Sequence, residues 1–169
     1  MTDKPIDKTE AAGRQLDGAC RLRLSDDDSL MVHTLGFAAF GILSDLVRHR
    51  EHPMNDVLDI LEDQSSKMGR EFREVPNSLK HADRYPNAVL EAHSEKDVHL
   101  TLALAIRLWV ELGNQETEAM RKFMQLPDPY KPGYRASAFV QFAQERPLAE
   151  YEEEAWRQRL SGLTVTSSG

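Results

Sequence analysis

Residues 77–86 read Asn77-Ser78-Leu79-Lys80-His81-Ala82-Asp83-Arg84-Tyr85-Pro86, the densest gathering of chemically capable side chains in the sequence. An imidazole at His81 can take a proton as general base, and Lys80 or Arg84 can stabilise negative charge that develops beside it. The same residues also have a structural use. Asn77 can cap a turn, His81 can bond to a backbone carbonyl, and Asp83 with Arg84 can pin a loop. Asn77, Lys80, His81, Asp83 and Arg84 are therefore the candidate site residues.

A second group of polar residues falls on one side of an apolar stretch: His33, Thr34, Ser44, Asp45 and Arg48. Such a strip lines a pocket, forms a structural network or faces solvent. His49 and His52 stand three apart with Glu51 and Asp56 near, a spacing that metal ligands use on helices. Arg48 and Arg50 flank the first imidazole and repel a cation, so no metal site is expected. His93 and His99 straddle a helix start and need not face one another. Arg107 and Glu111, four apart, form an ion pair along one helix face. Glu150, Glu152, Glu153 and Glu154 make a solvated face. Trp109 and Trp156 are expected in the core. No glycine-rich phosphate loop, G-x-S-x-G elbow, C-x-x-C pair or H-E-x-x-H occurs, and no cofactor is expected.

The elements that must position these residues are helical. From Ser29 to about Arg50 the chain is apolar except for the polar strip, with Asp26, Asp27 and Asp28 at its start and Arg48, His49 and Arg50 at its end, matching the helix dipole. Gly36 and Gly41 cost such a helix roughly 1 kcal/mol each and are read as points of close approach. Pro53 opens a further helix with the stripe Met54, Val57, Leu58 and Leu61, continued by Met68, Phe72 and Val75. Ser65, Ser66 and Gly69 predict a break there, and Pro76 predicts its end. Ser94 with Asp97 caps a helix whose run 98–112 is apolar on most faces, ended by Gly113. Asn114 is expected to cap a helix reaching about Leu126. Residues 127–133 form a proline-rich loop, and 136–146 and 148–160 are two more helices around Pro147.

The expected fold is all-α: a single-domain bundle of about five to seven helices over 29–160, with a flexible polar arm at 1–28 and a disordered tail at 161–169. A net charge of −7 argues against a generic binder of nucleic-acid phosphates. The one cysteine, Cys20, cannot form an intrachain disulfide, and the polar start is no signal peptide. The longest uncharged run, 30–44, is too short to span a bilayer. A cytoplasmic protein without membrane association is the expectation.

The motif at 77–86 resembles the N-F-F-K-H-A-D-R-D-P motif of a group of small bacterial helical proteins. The run 33–43, H-T-L-G-F-A-A-F-G-I-L, is similar to the first buried helix of that group. The resemblance, over about 30–125, implies a helical fold and a bacterial origin, and no activity. Asn77 and His81 also look like the Asn and His of the HEPN superfamily, helical bundles of toxin–antitoxin and phage-defence systems. Many of these are metal-independent ribonucleases with an arginine–histidine site across a dimer. The arginine that should precede Asn77 is replaced by Pro76, and Arg73 stands too far from His81. Two functions follow as expectations: a non-catalytic interaction or regulatory protein, as a homodimer or with a protein partner; or a HEPN-like ribonuclease, or its inactive relative, acting on RNA.

Overall fold

The computed structural model describes residues 5–63, 65, 67–80 and 95–127, except the side chains of 67, 68, 71, 80, 95 and 96. Six helices make up the described elements: α1 (Lys8–Leu24), α2 (Ser29–Arg48), α3 (Met54–Glu62), α4 (Lys67–Lys80), α5 (Glu95–Glu111) and α6 (Glu118–Phe123). They form one packed helical arrangement, as the composition and periodicity predict. The expected helices at 136–146 and 148–160, and the tail, lie outside the described residues.

The polar arm needs correction, because residues 8–24 are a helix of the bundle. Asp7 caps α1, its carboxylate accepting from the Glu10 N–H at 2.7 Å. Glu10–Arg14 and Asp17–Arg21 pair at the i, i+4 spacing, the first on the solvent side and the second with Asp17 half-buried. The buried stripe is Ala12, Leu16, Ala19 and Cys20, with one large aliphatic side chain among them. That stripe has helical spacing but little bulk, so composition conceals it.

α2 lies between α1 and α5, and these two packings are the most extensive helix contacts. Asp28 starts α2, accepting from the N–H groups of Leu30 and Met31. Val32, Phe37, Ala39, Phe40, Leu43 and Val47 of α2 are buried with Leu102, Leu104, Ile106 and Leu108 of α5 in the common core. Gly36 is the close approach: a Cβ there would stand 2.7 Å from Leu102 Cδ2. Gly41 has no such neighbour within 4 Å, so it is not one.

α5 ends as expected at Gly113, whose φ of +86° suits glycine. The Gly113 N–H donates to the Val110 carbonyl and the Asn114 N–H to the Trp109 carbonyl, the paired bonds of a Schellman stop. Asn114 therefore belongs to the end of α5, its side-chain amide also donating to the Trp109 carbonyl at 3.1 Å. The cap of α6 is Thr117, whose hydroxyl oxygen accepts from the Met120 N–H at 3.2 Å. α6 is accordingly shorter than expected, and it packs on α1.

α3 ends at Glu62 and α4 begins at Lys67, so the apolar stripe is divided as predicted, but Pro76 does not end α4, which runs on to Lys80. Proline fits helical φ, but in a helix interior it lacks an N–H donor and its ring crowds the carbonyl four residues back, a cost of about 3 kcal/mol that packing must offset. Burial of Phe72, Val75 and Pro76 supplies the compensating packing.

Candidate functional site

The polar strip of α2 divides when folded. His33 and Ser44 are buried, Thr34 and Asp45 are exposed, and Arg48 is half-buried. The Ser44 hydroxyl donates to the Gly41 carbonyl at 3.0 Å and the Thr34 hydroxyl to the Leu30 carbonyl at 2.7 Å, so both are satisfied within the helix. Arg48 reaches α3, pairing with Asp59 at 2.8 Å and Glu62 at 2.9 Å. Glu62 also pairs with Arg73 of α4 at 3.3 Å, and Arg73 Nε donates to the Leu61 carbonyl. One carboxylate thus ties three helices together. Arg73, the arginine that precedes the Asn77–His81 pair, is committed to this tie.

His52 has a role that its sequence neighbourhood does not disclose. Its Nδ1 accepts from the Met54 N–H at 3.1 Å, which caps α3 where Pro53 offers no side-chain oxygen. The accepting Nδ1 leaves Nε2 as the donor, and Nε2 meets Glu111 of α5 at 2.8 Å. Glu111 is also paired with Arg107 one turn back. Both imidazole nitrogens are engaged, so His52 is a tie between α3 and α5. Among the described residues, no three His, Cys, Asp or Glu side chains gather where a metal ion could sit.

His99 is buried, its ring 4.7 Å from that of Phe123, so it packs α5 against α6. Trp109 is half-buried over Gly13 and donates from Nε1 to the Gln115 carbonyl at 2.9 Å. Burial foremost, and then the Asp17 charge, push the Cys20 thiol up to about 12, so it carries no thiolate nucleophile at neutral pH.

A cleft opens between α2 and α4. Its volume is about 120 Å³, and its walls are His33, Thr34, Phe37 and Ala38 of α2 with Val75, Pro76 and Leu79 of α4. Phe37 and Phe40 hold Phe72 at its inner end, with ring centroids 5.5 and 5.2 Å apart. Leu79, at the start of the 77–86 motif, therefore shares one cleft with His33 and Thr34 of the α2 strip. Arg48 is not among the cleft residues.

Of the candidate residues, Asn77 lies inside the last turn of α4 and is exposed, so it does not cap a turn. Lys80 ends the helix, and its side chain lies outside the described residues, as do His81, Asp83 and Arg84 entirely. The structure brings none of the five into a described catalytic set. Sequence reasoning missed the His52–Glu111 contact and the apolar wall of the cleft, both of which join distant segments. No protein-family model, curated protein or solved structure matches this chain.

Proposed function

We propose that this chain is a non-catalytic interaction protein that pairs with a second copy of itself through the open side of α2. The observation carrying this reading is that α2, which over its full 20 residues is apolar enough to pass for a membrane span although its uncharged run 30–44 is shorter than one, is only half buried within the chain. Its open side presents Met31, Thr34, Ala38 and Gly41, spaced three or four apart and free of charge until Asp45. Met31 is 55 % exposed, and Leu79 of α4 adds a further exposed apolar side chain beside Thr34 and Ala38. A two-fold pairing about Ala38 sets small residues against small residues where the helices cross. The described ionisable candidates support the non-catalytic half of the reading, since Arg48, Arg73, His52, Arg107 and Glu111 all serve as ties within or between helices.

Light scattering of the full chain across the micromolar range should return twice the mass of one chain. Ala38→Arg should shift it to a single chain while its helical circular dichroism stays unchanged. A strict monomer at every concentration would overturn the reading.

A further inference from the structure

We infer that the last turn of α4, residues 76–80, is a strap hinged at Pro76 that opens and closes over the α2–α4 cleft. Among the described residues, the anchors of α4 all lie before the proline. Phe72 is wedged against Phe37 and Phe40, and Arg73 is held by Glu62 and the Leu61 carbonyl. Pro76 itself leaves the Phe72 carbonyl without its helical donor, which weakens α4 just past the last anchor.

Beyond that point the turn lies over empty space. The cleft of about 120 Å³ runs beside Val75, Pro76 and Leu79; Val75 and Pro76 are buried but Leu79 remains 41 % exposed, so among the described residues the turn past Pro76 gains little packing for being closed. Asn77 is exposed and Ser78 half-buried. Few apolar contacts and a missing backbone bond are the conditions under which a segment opens locally without unfolding the rest. Opening uncovers the His33 and Phe37 side chains and admits an apolar group to the cleft. The cleft shares Thr34, Ala38 and Leu79 with the face proposed for pairing, so exchange is compared at two chain concentrations. Protection of 77–80 that rises with concentration reports pairing, and protection that rises with the cleft probe at fixed concentration reports the strap.

Amide hydrogen exchange on the full chain, followed by NMR, tests this. A step should appear at Pro76, the amides of 77–80 exchanging faster than those of 72–75. Pro76→Ala returns the missing donor and should slow the 77–80 amides about fivefold, the ratio equivalent to one net hydrogen bond. Benzene serves as the probe of the cleft, since apolar cavities of about this size hold it. It should shift the Val75 and Leu79 methyl signals and slow exchange at 77–80. If no step appears, or if benzene leaves those rates unchanged, the turn is an ordinary helix end uncoupled from the cleft and the strap is refuted. Should Pro76→Ala fail to fold, the step and the benzene response in the unaltered chain decide.

Discussion

Two glycines on α1 show how narrowly packing sets the allowed side chain. A Cβ on Gly13 would lie 2.5 and 2.8 Å from Trp109 ring atoms, and a ring tied at Nε1 to the Gln115 carbonyl has little room to give. Gly18 has nothing within 4 Å of the same position. Gly13→Ala should therefore cost about 1–3 kcal/mol, as overpacking does. Gly18→Ala should add about 0.5–1 kcal/mol by removing helix-disfavouring freedom. Urea unfolding of both variants measures the contrast, and equal effects would contradict it. The residue pattern cannot distinguish these two positions, because the difference lies in a helix more than eighty residues further along the chain.

At the scale of elements, what the sequence discloses is local chemistry. The start of α2 just after the aspartates 26–28, the stripe Met54, Val57, Leu58 and Leu61, and the stop at Gly113 can each be read from neighbouring residues, and each is present. α1 escapes because its buried stripe is mostly Ala and Cys. Thr117 displaces Asn114 as a cap because Asn114 is already used by the end of α5. His52 looks like part of a charged helix end, yet its partner Glu111 stands 59 residues away. His52→Ala removes both the α3 cap and the α5 tie, and should cost about 1–2 kcal/mol in chemical denaturation. An unchanged midpoint would mean that neither bond matters. The cleft was half legible: the motif and the α2 strip could be named, but only the fold sets Leu79 over His33 and leaves Arg48 elsewhere.

For the whole molecule, acid stability follows from the seam between α1 and α6. Partial burial opposes ionisation of Asp17, but bonds from Arg21 and the Thr117 hydroxyl outweigh it and hold the carboxyl below its ordinary 3.8. A folded-state value below the unfolded one adds stability above the unfolded value, and that stability is lost as pH falls through the folded one. Asp17→Asn should thus lower the urea midpoint at pH 7, and the gap from the unaltered chain should narrow as pH falls below 3.8. A gap that stays constant with pH would place the effect outside this titration.

The position of α2 between α1 and α5 also carries a consequence for the order of assembly. Only residues 25–28 separate α1 from α2, so that pair can meet with little loss of chain freedom. α5 must arrive across residues 49–94, a far longer excursion that no local pattern guides. Until it does, the apolar flank of α2 that α5 covers stands bare, and a crowded solution offers it other chains. The helix proposed to pair finished copies is also where unfinished copies are most prone to aggregate.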